Sequence, residues 1–207
     1  MLTCIDGAHG PGALDLNLRE LGCDFYAGSG HKWLCAPSGT GILYIRRDRI
    51  ADLDPHFAGA CTDTGWTLTP EVQEMKGVRD EANRYSYGTQ SNLHHAGLAA
   101  AVKFMSEIGL PNVEARHHEL HTYLRGLLQG LPQVEILTPE EKRSHGAILT
   151  FRVAGKDVLA LNKAILKKNV RPRVVLESNL NAIRISPHIY NNEADLDRLV
   201  EVLKEEL

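Results

Sequence analysis

The sequence predicts an α/β chain in two parts: a mostly parallel sheet with helices over residues 1–109, then a small α+β domain over residues 110–207. Three observations carry that prediction. The apolar run Met1–Ile5 meets Asp6-Gly7-Ala8-His9 with no helix or cap before it, as an interior strand would. Strand-like and helix-like stretches then alternate, as they do in α/β sheets. Beyond Pro132 the order becomes strand, strand, helix, strand, strand, helix, the mark of a separate α+β unit.

Taken in order, Asp15–Leu21 suits a short helix, while Asp24–Ala27 and Gly41–Ile45 suit strands, the second closed by Arg46 and Arg47. An opening on an interior strand implies a chain truncated at its N-terminus. Asp52–Tyr87 is rich in Gly, Thr, Asp and Pro and lacks periodicity, which predicts a long irregular surface segment. Asn92–Ile108 begins at an Asn cap with apolar residues at helical spacing, and Pro111 suits the first turn of a second helix reaching Leu128. The small domain follows as strands Val134–Leu137 and Ala147–Val153, helix Val158–Lys168, strands Val170–Val175 and Ala182–Ile185, and helix Glu193–Leu207. The boundary between the two parts falls near Gly109.

With 43% hydrophobic and 24% charged residues, the 207-residue chain can bury one sizeable core or two modest ones. A net charge of −3 and the lack of any Lys/Arg run give no footprint for nucleic acid or an anionic membrane. No apolar run approaches the roughly 20 residues that span a bilayer. A small-molecule partner and a cytoplasmic setting are expected. Cys4, Cys23, Cys35 and Cys61 lack metal or disulfide spacing and read as reduced thiols, with Cys4, Cys23 and Cys35 as small core residues.

The stretch carrying most chemistry is Gly28-Ser29-Gly30-His31-Lys32-Trp33, just after a predicted strand. It offers hydroxyl, imidazole and amine to one small anionic ligand, with Gly28 and Gly30 allowing close backbone approach. A dinucleotide fingerprint would need Gly where Trp33 stands, and a P-loop would need Ser or Thr there. Asp6 lies at the C-terminal end of the first strand, where open α/β sheets carry ligand-binding groups. A carboxylate and a lysine on successive strand ends match what a protein supplies to pyridoxal 5′-phosphate (PLP): a partner for the ring nitrogen and an amine for the Schiff base.

His117-His118-Glu119-Leu120-His121 invites a metal reading, since His117 and His121 are four apart on one helix face. The zinc-protease pattern needs Glu where His118 stands, so the run reads as a solvated helix face and no metal is expected.

The segments DGAHGPG (6–12), DFYAGSGHKWLCAPSGTGILY (24–44), RYSYGTQSN (84–92) and IRISPHIYNNEADLDRL (183–199) together resemble the class V aminotransferase family of PLP enzymes, from Asp6 to the C-terminus. That family includes cysteine desulfurases, selenocysteine lyases and isopenicillin N epimerase-like proteins. The resemblance implies that Asp6 pairs with the pyridine nitrogen, that His9 lies near the ring hydroxyl, and that Ser29 and His31 bind the phosphate. It makes Lys32 the Schiff-base residue and the acid/base acting on the substrate α-proton. Gly88 and Thr89 match the segment that reaches the phosphate of a partner subunit, which implies a homodimer with shared sites. Arg184 matches the clamp for the substrate carboxylate, where a guanidinium fork has the right geometry.

The resemblance implies an amino-acid substrate and leaves epimerisation, elimination and transamination open. Two departures bear on it. The family's upstream segment, which stacks on the ring and completes the phosphate loop, has no counterpart here, so a folded but non-catalytic remnant is an alternative. The desulfurase branch carries a nucleophilic Cys before the Arg, whereas Arg171–Ala182 has none, which favours lyase or epimerase-like chemistry over cysteine desulfurase or selenocysteine lyase activity.

Overall fold

A computed structural model describes residues 1–207. Its packing divides the chain into two compact units, Met1–Gly12 with Leu16–Glu107, and Ala13–Asp15 with Ile108–Leu207. No helix is long and apolar enough to cross a membrane.

The first unit is built on β1 (Cys4–Asp6), β2 (Phe25–Ser29) and β3 (Gly41–Ile45), with a short α1 (Leu18–Leu21) between β1 and β2. Asn17 caps α1 by accepting from the Arg19 and Glu20 amides. β1 and β2 are parallel, with Asp6 opposite Ala27; β2 and β3 are antiparallel, with Ser29 opposite Gly41. In this three-stranded sheet one pair is therefore parallel and the other, β2 with β3, antiparallel. The reason is length: the link Gly30–Thr40 is too short for the crossover of a dozen or more residues that a parallel neighbour needs.

Buried Asp24 fastens this sheet. Its carboxylate accepts from the Thr3 amide (2.7 Å) and hydroxyl (2.9 Å), and Arg46 (2.8 Å) and Arg49 (3.1 Å) hold its other oxygen. The Thr3 amide is the largest influence holding the Asp24 carboxyl below the usual range, opposed by burial and helped by the arginines.

The segment expected to be irregular contains a small hairpin, β4 (Trp66–Leu68) with β5 (Gln73–Met75), extended by a bridge between Asp63 and Val78. Trp66 and Leu68 are exposed, so the hairpin has no buried face and left no apolar alternation to read. Short 3-10 segments at Arg47–Asp52 and Ala82–Tyr85 flank it, and α2 (Asn92–Ile108) follows.

The second unit holds α3 (Leu110–Gln129), β6 (Val134–Ile136), β7 (Leu149–Val153), α4 (Val158–Lys167), β8 (Arg173–Val175), β9 (Ala182–Ile185) and α5 (Glu193–Glu206). Each lies within a few residues of its expected span. The sheet is antiparallel throughout, in the order β6-β7-β9-β8. Side chains alternate across it, so Leu149, Phe151, Val153 and Ile183 meet Leu120, Leu124, Leu128, Ile165, Leu199 and Leu203 in one core. The next residues along, Thr150, Arg152 and Arg184, face the other way. Asp157 caps α4, and Asn192 with Asp195 forms a capping box on α5.

Two expectations about side chains need correcting. His117 and His121 are only 1% exposed, not part of a solvated face. They lie on the stripe Val113, His117, Leu120, His121, Leu124, Leu128 that α3 buries. His117 Nδ1 bonds the Ala13 carbonyl at 3.1 Å, and the His121 ring stacks on His145 with centroids 3.8 Å apart. Of the cysteines expected in the core, Cys23 is buried, but Cys4 and Cys35 are exposed. Cys4 shares the open face of β1 with Asp6, and Cys35 stands in a turn at φ 60°.

Candidate active site

Two strand ends and the turns that follow them form the site's frame. Because β1 and β2 run parallel, their C-terminal ends lie at the same edge of the sheet. Asp6 and Ala27 are register partners, and Ser29 is two residues further on, so Asp6 and Ser29 are on the same face. Lys32 follows in the turn three residues after Ser29, and both Asp6 and Lys32 are exposed.

Local bonds fix these two turns. Asp6 Oδ1 accepts from the Ala8 amide at 3.1 Å, and the Gly7 amide donates to the Ala27 carbonyl at 2.8 Å. The Tyr26 hydroxyl donates to the Gly7 carbonyl at 3.0 Å. A Cβ on Gly7 would stand 1.9 Å from the Tyr26 ring, so glycine is required by this approach. In the second turn, the Ala36 amide donates to Gly30 and the Cys35 amide to Lys32, closing the chain around the lysine. A Cβ on Gly30 would stand 2.6 Å from the Thr40 hydroxyl, so that glycine serves internal packing.

The two turns touch through His9 and Trp33. Trp33 Nε1 donates to His9 Nδ1 at 2.8 Å, with the rings edge-on at 6.4 Å. A neutral His9 therefore carries its proton on Nε2. His31 Nδ1 donates to the Thr40 carbonyl at 2.9 Å, which leaves Nε2 as the atom of that exposed ring able to meet a ligand. Trp33, Tyr26 and Thr40 were not singled out from the sequence. Their roles depend on which residues face one another across the strands, and only the adjacency of Trp33 to Lys32 offered a signal.

The remaining candidates lie elsewhere in the chain. Gly88 and Thr89 follow the 3-10 turn Ala82–Tyr85; a Cβ on Gly88 would meet nothing within 4 Å, and its carbonyl accepts from Gln90 Nε2. Arg184 belongs to the second unit, on β9, opposite Thr150 on one side and Arg173 on the other. Its Nε is buried without a hydrogen-bond partner. Burial, then the neighbouring Arg173, draws its pKa down, against a smaller opposing effect of Glu177. Such an orphaned cation is what an anionic ligand would satisfy.

The donor set fits PLP: a carboxylate for the ring nitrogen, a lysine in the next turn, and hydroxyl and imidazole groups for a phosphate. The exposed Asp6 carboxylate, bonded to the chain through Oδ1, and the exposed His31 ring, bonded through Nδ1, are the observations that support the fit.

Comparison with known proteins bears on the family and the fold. The aminotransferase class-V family model matches residues 1–199. Isopenicillin N epimerase of Streptomyces clavuligerus is 32% identical over 97% of this chain and 52% of its own length. A probable cysteine desulfurase of Chlamydia trachomatis is 28% identical over 99% of the chain and 51% of its own. The apo cysteine desulfurase from Thermococcus onnurineus NA1 superposes with a TM-score of 0.87 at 25% identity, over 99% of this chain and 52% of that one. A C-DES mutant with glycine covalently linked to its PLP cofactor shares the fold, at a TM-score of 0.86 and 24% identity, over 98% of this chain and 51% of that one. The chain spans about half the length of the curated relatives it matches. The family is PLP-dependent, and with all but the last eight residues matched, the chain belongs to the aminotransferase class-V family.

Proposed function

We propose that this chain forms part of a PLP-dependent enzyme acting on an amino-acid substrate, with lyase or epimerase-like chemistry. The observation that carries the reading is the parallel register that sets Asp6 and Ser29 on one face, with Lys32 in the turn beyond and His9 tied to it through Trp33.

PLP, when bound, withdraws electrons from the substrate α-carbon through its protonated ring. Asp6, with one oxygen already anchored by the Ala8 amide, would keep the ring nitrogen protonated through the other. His9, held by Trp33, would donate from Nε2 beside the ring hydroxyl. The Ser29 hydroxyl and His31 would bind phosphate. Gly88 and Thr89 of a second copy would complete that grip, which makes a homodimer part of the reading. Arg184 would hold the substrate carboxylate. Lys32 Nζ would anchor the cofactor and move the α-proton, a role worth about 10²- to 10⁴-fold in rate. With no Cys between Arg171 and Ala182, a persulfide-forming step lacks its nucleophile. The free thiols suit a cytoplasmic enzyme.

The rival reading is a unit that folds without retaining the cofactor. Addition of PLP followed by borohydride separates the two. A visible absorbance that becomes a pyridoxyl group fixed on Lys32, and is lost in Lys32→Ala, supports the enzyme. Equal behaviour of the two proteins supports the rival.

A further inference from the structure

Three arginines occupy the face of the C-terminal sheet turned away from its core, and two of them have carboxylate partners. Glu135 holds Arg152 at 2.6 Å, and Glu177 holds Arg173. Arg184 makes no ion pair, and its Nε is buried without a partner. The register sets Arg173 directly across from Arg184, with Cα atoms about 4.5–5.5 Å apart in an antiparallel pair.

Like charges opposite one another destabilise a sheet. A guanidinium does not escape by releasing its proton, so an anion is what relieves the pair. On the reading above, Arg184 accounts for one substrate carboxylate. Arg173 has only Glu177, four residues along the exposed link between β8 and β9. Exposed pairs of this kind contribute little and are readily exchanged. The link is also held in sparsely populated backbone: Ser178, Asn179 and Asn181 have φ of 55°, 57° and 46°. Two planar guanidinium forks side by side match two carboxylates, one fork to each.

We propose that Arg173 is a second anion-binding group, which exchanges Glu177 for a distal acidic group of the substrate and so selects amino acids bearing two acidic groups over those bearing one. The inference rests on Arg184 holding the α-carboxylate.

Titration calorimetry of the PLP-loaded full chain with L-glutamate and with L-glutamine, near-isosteric ligands that differ in the distal charge, tests it. Glutamate is expected to bind about tenfold or more tighter. Arg173→Ala brings glutamate down to the level of glutamine, and Arg173→Lys restores part of the difference. Glu177→Gln, which removes the competing carboxylate without touching Arg173, tightens glutamate severalfold. If Arg184→Ala weakens both ligands while Arg173→Ala weakens them equally or not at all, the second-anion role is overturned and the Arg184 reading stands. If Arg184→Ala changes neither, or neither ligand binds at millimolar concentration, both fall.

Discussion

Trp33 Nε1 donates to His9 Nδ1 across 2.8 Å, so the turn after β1 and the turn after β2 hold each other in place. The bond also selects the His9 tautomer. Trp33→Phe keeps an aromatic ring but removes the donor together with part of a buried indole. PLP affinity, followed by absorbance, is expected to fall severalfold, and thermal unfolding to report a loss of about 1–3 kcal/mol from the lost bond and the space left in the core. Unchanged affinity would show that His9 needs no positioning by Trp33.

Asp6 offers a charge as well as a shape. Asp6→Asn keeps its size and its bond to the Ala8 amide but cannot favour a protonated ring nitrogen. PLP retention, measured by dialysis against buffer, should weaken by roughly tenfold or more. Retention equal to the parent would remove Asp6 from the site.

The His121–His145 stack makes the second unit sensitive to acid. Burial, then His145 and Arg125, holds His121 at about 4, against an unperturbed 6.5. Arg125 Nε lies 3.4 Å from His121 Nε2, His145 stacks on its ring, and His118 packs edge-on to His145, with Glu114 beside His118. Between pH 6.5 and 4 the unfolded chain therefore binds a proton that the folded one refuses. The stabilisation is full above the unfolded pKa and is lost as pH falls toward 4, amounting to roughly 3 kcal/mol at one pKa unit per 1.36 kcal/mol. Urea unfolding at pH 7.5 and pH 4.5 should show the drop, and His121→Phe should flatten it. A parallel pH profile in that variant would assign the acid sensitivity elsewhere.

Phe151 is fully buried on β7 at the centre of the second core. Phe151→Ala is expected to cost about 3–5 kcal/mol by urea denaturation. A loss below 1 kcal/mol would mean that the surrounding leucines close the cavity.

The sequence was most informative where chemistry is local. Asp6 before a glycine at a strand end, and Ser29 at the end of β2 with His31 and Lys32 in the turn after it, were legible because these groups are close in sequence. The helices and strands of the second unit were legible from periodicity, since its core is fed by residues at regular spacing. What escaped depends on register: the Trp33–His9 bond, the Tyr26 hydroxyl over Gly7, and Arg173 facing Arg184 are decided by strand pairing. The burial of His117 and His121 was present in the pattern, because Leu120, Leu124 and Leu128 share their stripe. Imidazole is polar at its nitrogens yet flat and largely apolar in its faces, so within an apolar stripe it is buried with its neighbours.

The tripeptide Ala13–Asp15 belongs to the second unit although more than ninety residues separate it from Ile108. The Ala13 carbonyl bonds His117 Nδ1, and the Asp15 amide donates to Glu114 at 2.7 Å. Excising residues 108–207 as a stand-alone fragment would thus amputate a splint from α3, exposing a face that is otherwise capped and removing the carbonyl that His117 Nδ1 bonds. Anyone dissecting this chain should graft the tripeptide back, or expect the isolated fragment to melt early.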